Sequence, residues 1–325
     1  MTTRAWTGGT GRFGNPNAWT PGGNPVPGDD LDIVGGTATV SGGVLLKLSI
    51  QLGAPSGMSD SLPAVLRLHD SIIAANTTVT VGGTSPAPLG SGLGSATIEA
   101  SGIDLNLGTI GVAGFTAAGG GFPTPSQLTI DIGTGQFGNA GTLEAGNTPA
   151  KLVVHGQSAH AVLSNDGLID AGSVVNLDVS VLGIGKIAFG APYLTGPSPH
   201  AVTGPGVATT AAVGYGQTVD FRAASGVDSH GTLSIGDPHD FHALISNFVS
   251  GSRDQAFTPL LHQDLIALSL PEVTSATYRD DAGGGVLTLT GGGETAQLRF
   301  AGSYTLGSFQ ITSGSGGTDI VVKPA

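Results

Sequence analysis

The residues best equipped for chemistry stand together in Asp237-Pro238-His239-Asp240-Phe241-His242. On an extended strand, alternation puts Asp240 and His242 on one face, where they would hold a metal ion or a general base. Asp237-Pro238 is also a turn starter, and a turn running into a strand explains the same residues without chemistry. The turn is the reading we favour. His155 and His160 lie five apart across Gly156 and have no third ligand in sequence. The acidic groups Asp29, Asp30 and Asp32, and Asp280 with Asp281, sit beside glycines. Oxygen-rich turns of this kind suit calcium, the only cofactor the chain suggests. The Gly-Gly-x-Gly-x-Asp repeat of calcium-binding β-rolls is absent, so Asp-initiated turns on an acidic surface are the plainer expectation.

Other chemistries find no footing. There is no cysteine and no Gly-x-Ser-x-Gly elbow. Gly8–Gly11 and Gly119–Gly121 are not followed by the Lys-Ser/Thr of a phosphate loop. Paired carboxylates for sugar cleavage occur in any acidic chain, but a cleaving groove also needs aromatic platforms and cations. Both tryptophans are confined to the opening, and the eleven Lys and Arg are scattered. A net charge of −12 without a basic cluster argues against nucleic acid. No apolar run approaches the roughly 20 residues of a membrane-spanning helix. No active site is singled out, and the chain is read as a non-enzyme.

The elements that must position these residues are short and β-rich. Glycine accounts for 56 of 325 residues and punctuates runs such as Thr77–Val81, Gln127–Ile132, Val175–Val181 and Val286–Thr290. The segment Phe137–Gly146 matches Leu163–Gly172, with Asn139 and Asn165, Gly141 and Gly167, and Ala145 and Ala171 each 26 residues apart. One circuit of a parallel β-helix consumes a period of about this length, and asparagines at equivalent turns would stack along the axis. The expected fold is all-β: a right-handed parallel β-helix with an aromatic N-terminal cap and an irregular C-terminal β section. The expected divisions are a cap over 1–40, β-helix rungs over 34–210 and a C-terminal β module over 211–325. Trp6 and Trp19 are read as the cap in preference to a sugar-stacking platform. Residues 254–268 read either as an amphipathic helix or as a loop before a strand at Asp264–Leu268.

Two ends of the chain carry a family resemblance. The opening has Trp6-Thr-Gly-Gly9, Asn17-Ala-Trp19 and Pro27-Gly-Asp29. The tail runs through Asp240–Phe248, Asp264–Leu268, Gly285–Thr290, Ala296–Tyr304 and Phe309–Ile311. This order resembles β-strand-repeat, autotransporter-like or adhesin-like surface proteins of α-proteobacteria. The resemblance implies an extracellular, β-helical, non-enzymatic protein of the bacterial surface or matrix. The start lacks a basic, then apolar, secretory leader. Export that reads a C-terminal signal in Thr318–Ala325 is therefore the route expected. The expected function is structural: a secreted surface-layer, fibre or biofilm-matrix subunit that self-assembles into filaments. Open solenoid ends would pair head to tail, through edges placed at Leu31 and Ile33 and at Ile320, Val321 and Val322. Extracellular polysaccharide is the other expected partner. A glycan-binding adhesin using Trp6 or Trp19, and a polysaccharide-degrading enzyme on the same scaffold, are the alternatives.

Overall fold

The computed structural model describes residues 2–53, 63–85, 94–117, 126–146, 150–189, 206–222, 231–249, 264–281, 283–314 and 316–323. Among them there is no α-helix, only strands and two short 3-10 turns. The strands form sheets of fourteen, twelve and six members. The chain visits them in a fixed order and advances one strand in each sheet per circuit. Asp30–Ile33 lies in the first sheet, Gly36–Ser41 in the second and Val44–Leu45 in the third. The next circuit repeats the order with Ser49–Leu52, Ala64–His69 and Ile72–Ile73. Each pairs in parallel with its predecessor. Long parallel sheets built this way are what a β-helix or solenoid requires.

Register turns sequence alternation into continuous core columns. On the first sheet Leu31, Ile50, Val79, Ile110, Leu143, Ile169, Ile187, Val219 and Ile245 follow one another from circuit to circuit. All of them are fully buried. On the second sheet Ala38, Leu66, Ile98, Ile130, Val154 and Leu177 do the same. Small aliphatic side chains suffice because each is covered from above and below by its own column. Near the C-terminal end the interior becomes aromatic: Phe189 stacks on Phe221 at 4.6 Å, and Phe248 follows at 5.0 Å.

The Asn139–Asn165 match is a stacked pair. Asn139 and Asn165 are register partners on the third sheet. Asn106 Nδ2 donates to Asn139 Oδ1 at 2.9 Å, Asn139 Nδ2 donates to Asn165 Oδ1 at 2.8 Å, and Asn165 Nδ2 donates to Gln217 Oε1 at 2.8 Å. All four side chains are completely buried, so this ladder supplies the partners that buried amides require. The turns beside it are equally close. A Cβ on Gly167 would overlap the carbonyl oxygen of Gly141, and one on Gly141 would overlap that of Gly108.

Both ends are closed by strands that break the parallel pattern. At the start, Trp19–Thr20 runs antiparallel to Thr3–Trp6. Trp19 meets Trp6 and Phe13 edge-on, with ring centroids 5.1 and 5.2 Å away. The tryptophans are 5 % and 2 % exposed, so they cap the core and present no face on which a sugar stacks. At the other end Val273–Asp281, Gly284–Gly291 and Glu294–Ala301 form an antiparallel meander. Phe309–Gly314 and Gly317–Val322 form a hairpin.

Three expectations change. Parallel stacking passes the expected boundary at residue 210 and continues to Leu265–Leu268. The Pro/Gly-rich stretch after Phe189 lies, over 190–205, outside the described residues. Leu31 is not at an edge, because it is paired on both sides, to Arg4 and to Ile50, while Ile33 pairs with Leu52. Ile320 is also paired on both sides, to Ile266 and Ile311, while Val321 and Val322 pair with Gln310 and Phe309. Residues 265–268 form a strand; the rest of the helical candidate, 254–263, lies outside the described residues.

Candidate functional site

The residues singled out for chemistry do not converge. Asp237 Oδ1 accepts from the backbone N–H groups of His239 and Asp240 at 3.2 and 3.3 Å, closing the expected turn. His239 then reaches toward Glu294, with Nε2 3.7 Å from Oε2. His242 instead stacks face to face on Tyr215 at 4.2 Å. His155 and His160 also diverge: His155 bonds to Asp178, and the His160 N–H donates to Ser158 in a turn. Among the described residues, no group of three or more His, Cys, Asp or Glu side chains is placed to hold a metal ion.

The five carboxylates read as calcium candidates have other places. Asp29 is buried and accepts from Arg4 Nε at 2.7 Å and from the Val26 N–H at 3.1 Å. The Arg4 hydrogen bond, reinforced by the Val26 N–H, holds its carboxyl below the usual range. Its oxygens are committed to donors and unavailable to a cation. Asp30 and Asp32 alternate with buried Leu31 and Ile33 on a strand, and burial followed by the charge of Asp30 pushes Asp32 up. Asp280 and Asp281 end the strand Val273–Asp281 and are exposed. Among the described residues, these carboxylates form no group of three placed around one point.

Stacking creates two polar arrays that no local pattern announced. Along the outer face of the second sheet, Arg67, Glu99, Asp131, His155 and Asp178 occupy one column, a circuit apart. Arg67 Nε meets Glu99 at 2.6 Å, Gln157 Nε2 donates to Asp131 at 2.6 Å, and His155 Nδ1 lies 2.8 Å from Asp178. The Thr210 hydroxyl donates to Asp178 at 2.5 Å, and that bond, with His155 behind it, lowers the Asp178 pKa.

On the outer face of the first sheet, Glu144 and Asp170 are register partners. Asp170 is raised, first by burial and then by the charge of Glu144. Nearby, Lys186 Nζ meets Asp220 at 2.5 Å, and Asn247 donates to the same carboxylate at 2.7 Å. Burial pushes Asp220 up, but the Asn247 and Lys186 bonds outweigh it and leave the group lowered. Glu144 and Asp170 are the nearest approach to an acid–base pair. Among the described residues their register neighbours are Gly111 and Ala188, with no aromatic side chain in the column. The signal for both arrays was spacing: equivalent positions recur 23 to 33 residues apart, as in the Gln157–Asp131, His155–Asp178 and Arg67–Glu99 contacts.

The third sheet differs in kind. Its six strands point Val44, Ile72, Ile103, Leu105, Gln136, Gly138, Val162, Ser164, Ser180 and Leu182 outward, without a charge among them. Its N-terminal end opens into a cleft of about 840 Å³, lined by Pro25, Val26, Pro27, Val44 and Leu46 among others. No protein-family description, curated protein or solved structure matches the chain. Function must be argued from these surfaces.

Proposed function

We propose that the chain is a right-handed parallel β-helix that serves as an extracellular structural subunit, self-assembling into a surface layer, fibre or biofilm matrix without catalysing a reaction. Right-handedness follows from the strong preference of parallel strand crossovers for that hand. Export is supported by composition: a cysteine-free chain rich in Gly, Thr and Ser needs no oxidative folding.

One observation carries the assembly reading. Val273–Asp281 is the last strand of the first sheet and, among the described residues, pairs on one side only. Along residues 273–280, alternate positions of this edge therefore offer backbone donors and acceptors to another chain. The capped solenoid ends move the expected contact from Leu31, Ile33 and Ile320–Val322 to this strand. The chain's net charge of −12 opposes association, so assembly should strengthen as salt screens the repulsion.

Negative-stain electron microscopy of the purified protein across salt concentrations tests the reading. The expected result is filaments or sheets at high salt, lost in the double variant Ser275→Lys/Thr277→Lys with β-type circular dichroism retained. Particles no larger than a dimer under every condition would end the reading.

A further inference from the structure

The third sheet's outer face is the surface that nothing above accounts for. Most large apolar side chains exposed by the described residues lie on it or on the turns that lead from it to the first sheet. Ile103 is 72 % exposed, Val44 59 % and Leu182 46 % on the strands, while Ile184 reaches 79 % and Tyr215 66 % on the turns. Solvated faces of single chains rarely gather apolar surface in this way. The first two sheets do the opposite and turn Thr, Asp, Glu, Lys and Arg outward.

We infer that this face is a two-fold interface with a second copy of the chain, the two copies running antiparallel. This rests on the reading that the protein associates with itself, but it uses a different surface from the strand edge at Val273–Asp281. Three observations choose a second copy as the occupant. First, in a chain of charge −12, the uncharged outward positions of these six strands are where like copies meet with least repulsion.

Second, the two ends of the face are complementary. A cleft opens beside Val44 and Leu46, and the exposed side chains of Ile184 and Tyr215 stand five and six circuits farther along. A two-fold axis across the middle of the face, between Ile103–Asn106 and Gln136–Asn139, brings these side chains to the partner's cleft. Because such a contact is isologous, it closes at two copies.

Third, the same axis brings opposite charges together at the rim. Lys47 and Asp166 are exposed on equivalent turns, and the operation sets one copy's Lys47 within about one 4.8 Å strand spacing of the other's Asp166. Six strands at that spacing, with about 20 Å of width once the turns toward the first sheet are included, give on the order of 600 Å² per copy. That approaches the roughly 800 Å² per partner of a standard stable interface.

Sedimentation of the full chain at low salt, where filaments are disfavoured, is the test. A dimer is expected, and Ile103→Lys/Leu182→Lys should convert it to monomer with unchanged circular dichroism, since both side chains are already exposed. The chain has no cysteine, so single cysteines report geometry cleanly. A short bismaleimide should join Gln136→Cys, near the axis, to its own copy and leave Gln127→Cys, on the second sheet, unjoined. A wild-type monomer at all concentrations, a dimer that survives the lysine variant, or equal cross-linking at both cysteines overturns the inference. Monomer that floats with zwitterionic lipid vesicles, and loses that in the lysine variant, gives the face to a lipid surface and also overturns it. The two readings fail separately. Dimers of the lysine variant that appear at high salt and are lost on adding Ser275→Lys/Thr277→Lys leave the strand-edge contact standing, and low-salt dimers from Ser275→Lys/Thr277→Lys leave the two-fold face standing.

Discussion

The second and third sheets wind around the same core with different polarity: the third also buries Phe137, Leu163 and Val181, but along Ile103–Asn106 the usual order is inverted. The second follows the familiar rule: Leu128, Ile130 and Ile132 are inside, and Gln127, Thr129 and Asp131 outside. In the third, Asp104 and Asn106 are inside at 1 % and 0 % exposure, while Ile103 stands in solvent at 72 %. What reconciles the inversion is satisfaction of polar groups. Asp104 accepts from the Ser71 and Ser101 N–H groups at 2.8 Å each, and Asn106 enters the amide ladder. A parallel stack lets identical amides serve one another at every circuit, so burying them costs little once the ladder is complete. The apolar side chains displaced to the outside then need another use, and a second copy would supply it.

Breaking the ladder should have the largest effect. Asn139→Ala removes one of the two acceptors of the Asn106 amide, which keeps the Thr142 carbonyl, and the donor to the Asn165 and Leu168 oxygens. At roughly 1–3 kcal/mol for each stranded group, we expect a loss of about 3 kcal/mol or more in urea unfolding. Ile130→Val, at an equally buried second-sheet position, should cost only about 1 kcal/mol. Equal losses would mean that the ladder is not special.

The turns sharpen the contrast. A Cβ on Gly167, at the end of the third sheet, would overlap Gly141's carbonyl oxygen, while one on Gly133, after the second sheet, comes no closer than 3.5 Å to that of Ala100. Gly167→Ala should therefore destabilise by about 2 kcal/mol and Gly133→Ala by less than about 0.5 kcal/mol. Thermal midpoints read the difference directly.

The two sheets should also respond oppositely to acid. Burial holds the Asp104 pKa above that of an unfolded aspartate, so its charging opposes folding. The stability of wild type relative to Asp104→Asn should fall as pH rises from the ordinary aspartate pKa through the raised one. Asp178 is lowered by Thr210 and His155. Its contribution is present above the ordinary aspartate pKa and disappears as pH falls through the lowered value. Unfolding midpoints of Asp104→Asn and Asp178→Asn across the acidic range should tilt in opposite directions, the Asp178 effect being small because the pair is exposed. Smallest of all, Glu99→Gln removes a solvated bridge to Arg67 and should change stability by less than about 1 kcal/mol.

Much of the architecture was readable from local chemistry. Glycines, Asx turns and β-branched runs mark where the chain turns and extends, because those preferences reside in single residues and their neighbours. The 26-residue match between Asn139 and Asn165 identified the circuit, since identical turns stack only if the chain returns at that interval. Trp6 and Trp19, two large rings ahead of the first circuit, marked the cap. Alternation alone did not say which side of Ile103–Asn106 faces inward, because a period of two is the same for either choice. Nor did it pair Arg67 with Glu99 or His155 with Asp178, or place the free edge at Val273–Asp281. Those outcomes belong to the tertiary structure: a circuit's register decides which residues, from 18 apart (Val162 and Ser180) to 33 apart (Asn106 and Asn139), become neighbours, and that register is fixed only when the whole stack has closed.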